Sequence, residues 1–115
     1  MKRDSVLSLV GIATKAGRIA SGEFLSENAV KSGKASLVII SREASGNTEK
    51  KFRNMCSFYQ VPAYSYGTRE ELGAASGNEY RAVLAVLDVG LADALMKKLE
   101  TAGAEGGYEN GGNRE

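Results

Sequence analysis

The sequence predicts a three-layer α/β/α sandwich around a small four-stranded mixed sheet. Two apolar runs, SLVII at 36–40 and RAVLAVL at 81–87, show no alternation with polar residues, which is typical of strands covered on both faces. Segments with helical periodicity lie between the strand segments, an order that favours helices on both sides of one sheet. With 115 residues, of which 43% are hydrophobic, the chain is sized for one domain, which we place at residues 1–100.

The first half of the chain predicts a helix, a short strand, a second helix and a buried strand. Apolar residues repeat with helical spacing after Asp4, a favourable N-cap, and we expect this helix to end before Gly17. The segment RIAS predicts a brief strand. Gly22 then leads into the helix EFLSENAVKSG, which Gly33 ends, and the run SLVII follows.

The second half continues the same alternation. The segment TEKKFRNMCSFY predicts a helix, and Pro62 blocks its continuation and begins the strand AYSY. Thr68 and Glu71 stand in capping-box spacing at the start of a short fourth helix. After the second buried run, Asp88 caps the last helix, whose predicted inner face carries Ala92, Leu95, Met96 and Leu99.

Three features bear on the ends of the chain and its compartment. Residues 101–115 are rich in glycine without an apolar period, so we expect a flexible tail that does not pack on the domain. The single cysteine, Cys56, excludes an intrachain disulfide and fits a reducing compartment. Charges interrupt the apolar positions of the first twenty residues, so we expect a cytoplasmic protein with neither signal peptide nor membrane span.

The net charge of +1 conceals an uneven distribution. Residues 1–53 carry ten Lys or Arg against five acidic residues, whereas residues 54–115 carry five against nine. A basic half is compatible with a polyanion site, and equally with chance placement and solubility.

No residue pattern predicts catalysis. The chain has no histidine, so the commonest general base and metal ligand is missing. Cys56 falls on the apolar stripe of its helix, and helix capping accounts for Asp88. The segment SGKAS precedes a strand, whereas a nucleotide-binding loop precedes a helix. We expect a non-enzyme without metal or cofactor.

The turn at Gly22 is the first candidate binding site. A glycine lets a nucleic-acid backbone approach, and the first N–H groups of the next helix are free to bind phosphate. We expect the flanking cations to surround this turn, provided that the first helix ends and the second begins on the same sheet edge. On this stretch alone, a structural glycine with solvated lysines is the favoured alternative. The cations are Lys15, Arg18, Lys31 and Lys34.

Five segments between about Val6 and Leu99 carry a family pattern: LVGIATKAGRIASGE, VKSGKASLVIISREASGNTEKKF, VPAY, REELGAASG and LAVLDVGLADALMKKL. In this order they resemble the kink-turn RNA-binding superfamily of ribosomal proteins that includes archaeal L7Ae, and within it the bacterial YlxQ-like branch. The resemblance implies an α/β/α sandwich that binds structured RNA through the turn before the second helix and the loop before the last strand.

The Gly22 turn departs from the family's kink-turn motif. That motif is Gly-x-Asn-Glu-x-x-Lys, in which Asn and Glu read sheared G·A pairs and Lys holds a phosphate. With the family's Gly placed on Gly22, this chain has Phe24 and Leu25 instead of Asn and Glu. Asn28 stands in place of Lys, and Glu23 offers the one nearby carboxylate. Since each bidentate base contact carries about 1–3 kcal/mol of discrimination, losing two can remove kink-turn selectivity.

The resemblance places a second RNA contact in the loop SGNEYRAV at 76–83. There Tyr80 is suited to stack on an unpaired base, worth about 1–3 kcal/mol, and Arg81 to bind a phosphate, with Asn78 and Glu79 beside them. A polar turn with a partly exposed tyrosine is an equal alternative.

Two functions from different classes follow. The first is a non-catalytic RNA-binding protein of ribosome or ribonucleoprotein assembly, expected to be a monomer with RNA as its partner and to bind neither DNA nor a membrane. The second is a protein-interaction module that kept the fold and lost its RNA site, with Phe24 and Leu25 as an exposed apolar patch. Burial of both side chains would remove the main support for the second function.

Overall fold

The computed structural model describes residues 4–107 and confirms the α/β class. In that range no helix has the length and apolar composition that a membrane crossing requires. Five helices and five strands alternate along the chain: α1 Ser5–Lys15, β1 Ile19–Ser21, α2 Glu23–Lys31, β2 Leu37–Ile40, α3 Gly46–Tyr59, β3 Ala63–Ser65, α4 Arg69–Ala75, β4 Val83–Val86, α5 Val89–Thr101 and β5 Glu105–Gly107.

The strands form one mixed sheet in the order β1-β4-β2-β3-β5. Strands β2 and β3 are parallel, and the other neighbouring pairs are antiparallel. The two apolar runs of the sequence lie side by side, with Leu37 opposite Val86 and Ile40 opposite Val83. All eight residues of β2 and β4 are buried, so the prediction of two strands covered on both faces is confirmed.

Helices cover both faces of this sheet. On one face, α2 and α3 pack on β2 through a cluster that includes Val30, Phe52 and Val38. On the other face, α1, α4 and α5 contribute to a second cluster around Leu37 and Ile39. Successive residues of β2 therefore point into different cores, which explains why its sequence is apolar at every position.

The predicted N-caps are present, and one helix starts earlier than expected. Helix α3 begins at Gly46, two residues before the predicted start, because the Ser45 hydroxyl accepts a 3.1 Å hydrogen bond from the backbone N–H of Thr48. Side-chain caps at the three predicted positions, including the full capping box with Glu71, are made by Asp4, Thr68 and Asp88.

Strand β5 corrects two expectations, because the sheet has five strands and residues 105–107 pack on it. Residues Ala63–Ser65 pair antiparallel with Glu105–Gly107. A Cβ on Gly106 would lie 2.6 Å from the Cα of Tyr64, so glycine permits the approach. The Arg53 guanidinium donates to the carbonyls of Ala63 (3.1 Å) and Glu105 (3.3 Å) and so ties α3 to both strands. Residues 108–115, the rest of the predicted tail, lie outside the described residues.

Candidate nucleic-acid interface

The Gly22 turn leaves the start of α2 open. Gly22 has φ 95° and ψ 169°, and its N–H donates to the Val83 carbonyl at 2.9 Å, which fixes the turn against β4. No side chain caps α2, whereas each of the other four described helices has a side-chain cap. The N–H groups of Glu23, Phe24 and Leu25 therefore stand without helical acceptors at this end.

The loop before β4 meets the Gly22 turn, so the two segments to which the resemblance assigns RNA contacts lie side by side. A Cβ on Gly22 would lie 3.5 Å from Nε of Arg81, an ordinary van der Waals contact, so the guanidinium lies beside the space that the missing side chain leaves. The strand register explains the meeting, because Ser21 pairs with Leu84 and the chain before β4 therefore arrives beside the end of β1.

Arg81 is held in place by three hydrogen bonds. Its Nε donates to the Ser21 hydroxyl at 2.9 Å, and its two terminal nitrogens donate to Oδ1 of Asn78 at 2.9 Å and the Tyr80 carbonyl at 2.8 Å. The Asn78 side-chain amide donates to the same Ser21 hydroxyl at 3.1 Å. Sequence reasoning missed Ser21, whose role depends on the register of β1 against β4 and has no local signal.

The loop is seated on helix α4. The Asn78 N–H donates to the Gly73 carbonyl at 2.7 Å, and the Arg81 N–H donates to the Arg69 carbonyl at 3.0 Å. At Gly73, an added Cβ would collide with the carbonyl of Glu79 and lie 2.7 Å from the backbone nitrogen of Tyr80. Gly73 thus permits the close seating that positions Arg81, a second contribution that sequence reasoning missed.

Two aromatic rings project into solvent, one from the start of α2 and one from the loop 76–81. Phe24 on α2 is 75% exposed, and Tyr80 on the loop is 61% exposed. Leu25 beside Phe24 is 52% exposed, so neither apolar side chain of the altered motif points into the core. The exposed rings offer stacking surfaces for bases. Because Phe24 and Leu25 are both exposed, they also support the protein-interaction hypothesis, which requires an apolar surface patch.

The structure separates the four predicted cations from the Gly22 turn. Helix α1 ends before the first residue of β1 and α2 begins after its last residue, so the two helix termini lie at opposite ends of this edge strand. Lys15 and Arg18 lie at the start of β1, where the Arg18 carbonyl accepts from the Leu87 N–H at 2.8 Å. Lys34 lies with Leu87 at this same end. Lys31 is in the last turn of α2, paired with Glu27 at 2.7 Å.

The remaining predicted residues occupy different surroundings. Glu23 accepts a 3.2 Å hydrogen bond from the Thr48 hydroxyl, so its carboxylate faces the start of α3. Asn28 is exposed on α2 and lines a groove against β1. Glu79 is exposed, with its backbone against Gly73. Of the thirteen predicted residues, the structure gathers Gly22, Asn78 and Arg81 most closely.

The one thiol of the chain is chemically quiet. Cys56 is buried in the core between α3 and the sheet, and burial raises its pKa to about 12. A protonated thiol is a poor nucleophile at neutral pH. Within residues 4–107, no three of the Cys, Asp and Glu side chains converge to hold a metal ion.

Comparison with known proteins identifies the family. Residues 4–111 match the ribosomal protein L7Ae/L30e/S12e/Gadd45 family. The chain belongs to this family. The L7Ae-type fold accounts for the α/β/α layers described above, and the resemblance noted from the sequence segments is thereby confirmed.

Bacterial relatives define the branch. The chain is 38% identical over 92 residues to the RNA-binding protein YlxQ of Bacillus subtilis, covering 80% of this chain and 92% of the relative. It is 31% identical over 98 residues to the RNA-binding protein YlxQ of Enterococcus faecium, covering 85% of this chain and 94% of the relative. The chain is therefore a YlxQ-like member of the L7Ae family.

Solved structures agree with the fold. A Bacillus halodurans protein of unknown function superposes with a TM-score of 0.82 at 36% identity, covering 85% of this chain and 99% of that protein. A Giardia lamblia 15.5 kD RNA-binding protein superposes with a TM-score of 0.72 at 23% identity, covering 88% of this chain and 92% of that protein. The second likeness is one of fold.

Proposed function

We propose that this L7Ae-family chain binds structured RNA at the junction of the Gly22 turn and the loop 76–81. The observation that carries the proposal is the fixed Arg81 guanidinium beside the bare Gly22 backbone at the uncapped start of α2. Membership of the family, and the RNA-binding names of the YlxQ relatives, support the same function.

The junction is suited to hold a phosphate. Three N–H groups of Arg81 are engaged by Ser21, Asn78 and Tyr80, and a guanidinium carries further donors that these bonds leave available. The free N–H groups of the first α2 turn lie next to Gly22, where the helix dipole also favours an anion. A guanidinium already fixed by neighbours loses little conformational entropy when phosphate binds.

The exposed rings extend the site from the RNA backbone to an unpaired base. Tyr80 lies on the loop 76–81 and Phe24 lies in the first turn of α2, and both rings are mostly exposed. Stacking on such a ring requires a base that is not paired in a duplex and contributes about 1–3 kcal/mol per base. The preferred ligand is therefore a folded RNA with an extruded nucleotide.

Kink-turn selectivity is proposed to be weak. The base-reading positions of the family motif carry Phe24 and Leu25, which have no side-chain donor or acceptor for a G·A pair. Without two bidentate contacts of about 1–3 kcal/mol each, a kink-turn gains little over another RNA with an unpaired base.

We further infer that the protein is a cytoplasmic monomer that has neither catalytic activity nor a cofactor. Its nucleic-acid partner is RNA and not DNA, and it does not attach to a membrane. The protonated Cys56 thiol and the lack of histidine support the non-catalytic part. The same thiol, unpaired and buried, fits a reducing compartment.

The test is a titration of the full chain with three RNAs of equal length: a kink-turn, a duplex with one unpaired nucleotide, and a plain duplex. Arg81→Gln should weaken binding to all three and reduce the slope of log K against log salt by about 0.7–0.9. Tyr80→Ala should weaken binding only where a base is unpaired. Lys97→Gln is the matched control for charge, because the Lys97 side chain is exposed on α5. Equal binding of wild type and Arg81→Gln at every salt concentration would refute the site.

A motif restoration tests selectivity separately. The triple variant Phe24→Asn, Leu25→Glu and Asn28→Lys restores the family motif and should raise affinity for the kink-turn relative to the plain duplex. If the wild type binds no RNA and this variant gains nothing, the Gly22 turn is structural. The exposed Phe24 and Leu25 would then favour the protein-interaction module as the second function.

A further inference from the structure

A groove between α2 and the edge strand β1 adjoins the proposed RNA site, with which it shares Leu25 and Asn28. It is open, has a volume of about 480 Å³, and is walled by aliphatic side chains that include Leu25 and Leu87. Asn28, Ser32 and Lys34 supply its polar lining, and no aromatic or acidic side chain of the described residues lines it. Aliphatic walls suit aliphatic side chains better than nucleobases, which stack on aromatic rings.

The strand beside this groove has a free backbone edge. The Leu87 N–H donates to the Arg18 carbonyl and the Gly22 N–H donates to the Val83 carbonyl, so Arg18 and Gly22 face β4. By the antiparallel alternation, the backbone groups of Ile19 and Ser21 point away from β4. Strand β1 is the edge of the sheet, and within residues 4–107 no further strand pairs with it.

The charges around the groove are positive. Lys34 lines it, and Arg18 stands opposite Leu87 in the β1–β4 register at its rim. Both side chains are exposed, and neither forms an ion pair within the described part of the chain, whereas Lys31, on the side of α2 towards α3, is paired with Glu27. A ligand with carboxylates at its ends is complementary to these two cations.

We propose that this groove is a docking site for a protein partner that presents an extended, acidic segment with aliphatic side chains. The segment pairs with the outward backbone groups of Ile19 and Ser21, places an aliphatic side chain between Leu25 and Leu87, and sets its carboxylates against Arg18 and Lys34. This is recognition by strand addition, in which backbone bonds and alternate side-chain contacts act together. Three residues of strand offer few backbone bonds, so the groove and the cations supply most of the specificity.

Strand β5, the last strand of the described residues, is not the occupant within one molecule. Strand β5 lies at the opposite edge of the sheet from β1, with three strands between them. The Arg81 end of the RNA site is also apart from the cations of the groove, because Arg18 and Gly22 are four residues apart along an extended strand, a distance of about 13 Å. A partner and an RNA can therefore bind at the same time.

The experiment uses the full ¹⁵N-labelled chain and two capped peptides, EEVLVEE and KKVLVKK. The acidic peptide should shift the amide signals of Ile19, Ser21, Leu25 and Leu87, and the basic peptide should bind at least about tenfold more weakly. The peptide is added before and after saturation with plain duplex RNA, and the same signals should shift in both cases.

Surface variants locate the interaction without threatening the fold. Leu25→Glu, and the double variant Arg18→Glu with Lys34→Glu, should each weaken the acidic peptide by about tenfold or more. Ile12→Glu is the matched control for the exposed aliphatic side chain, since Ile12 is 59% exposed on α1. Lys50→Glu together with Lys97→Glu is the control for two charge reversals, and both controls should leave peptide affinity unchanged.

Three outcomes would overturn the proposal. One is the absence of shifts at millimolar acidic peptide, or shifts confined to residues away from β1 and α2. Another is displacement of the peptide by duplex RNA with shifts of Leu25 and Leu87, which would make the groove part of the RNA site. The last is self-association that depends on concentration and is lost in Leu25→Glu, which would make a second copy the occupant.

Discussion

The substitution Gly73→Ala tests whether the loop 76–81 is seated on α4 closely enough to position Arg81. Gly73 lies inside α4, where alanine is favoured over glycine by about 1 kcal/mol. Against that gain, the new Cβ would collide with the Glu79 carbonyl and lie 2.7 Å from the Tyr80 nitrogen, so the loop has to move by about 1 Å to restore ordinary contact. Overpacking of this kind costs about 1–3 kcal/mol.

The two effects predict a net loss of about 0–2 kcal/mol in the free energy of unfolding, together with a displaced loop. The displacement strains the Asn78 N–H bond to the Gly73 carbonyl, now 2.7 Å, and shifts Arg81 away from Gly22. If the shift removes one hydrogen bond from Arg81 to the RNA, worth about 1 kcal/mol, RNA binding weakens about fivefold. Urea unfolding and RNA titration measure the two quantities on the same preparation.

The matched control is Gly11→Ala in α1. There the nearest atom to an added Cβ is the Ala75 carbonyl oxygen at 3.8 Å, an ordinary contact. This variant should gain up to about 1 kcal/mol in stability and bind RNA as the wild type does. If Gly73→Ala is stabilised as much as Gly11→Ala and binds RNA equally well, the close seating of the loop is not what positions Arg81.

Three further predictions concern caps, charge and the thiol. Thr68→Ala removes the capping-box hydroxyl and should lower the free energy of unfolding by about 1 kcal/mol, while Thr101→Ala, at the exposed end of α5, serves as a control. Hydrogen bonds from Lys31 and Lys51 lower the pKa of Glu27 from 4.5 to about 2. Folding therefore favours the carboxylate, and the stability it contributes is present above the unfolded pKa and lost as pH falls from about 4.5 to about 2. Thermal unfolding measured across that pH range should show that the wild type loses stability more steeply with falling pH than Glu27→Gln does. Parallel curves would contradict the ion pairs. Because burial raises the pKa of Cys56 to about 12, a thiol reagent at pH 8 should label the native chain far more slowly than the urea-unfolded chain, and equal rates would contradict its burial.

The sequence was sufficient for the elements whose stability depends on their own residues. The runs at β2 and β4 are apolar at every position because each strand is covered on both faces, and that pattern is readable without a structure. The caps at Asp4, Thr68 and Asp88 follow from side chains that accept hydrogen bonds a few residues away. Local rules therefore predicted the layers and their order.

What the sequence did not predict depends on contacts between distant segments. Strand β5 has no side-chain pattern, since its glycines matter by letting the backbone approach Tyr64. Ser21 and Gly73 hold the candidate RNA loop through partners more than five residues away in sequence. Lys15 and Lys34 were expected around Gly22 but lie at the opposite end of β1, because closeness in sequence is not closeness in space across a strand.

That separation carries the main functional argument, because a strand of three residues is long enough to divide the two ends of β1 between two ligands. At the Ser21 end, Arg81 is fixed by hydrogen bonds, the helix start is uncapped and aromatic rings are exposed, which suits phosphate and an unpaired base. At the Ile19 end, the walls are aliphatic and the cations form no ion pair within residues 4–107, which suits a peptide with carboxylates. Changing Arg81 and changing Arg18 together with Lys34 should therefore affect different ligands, and a variant at either end that weakens both equally would show that the two ends of β1 form one site.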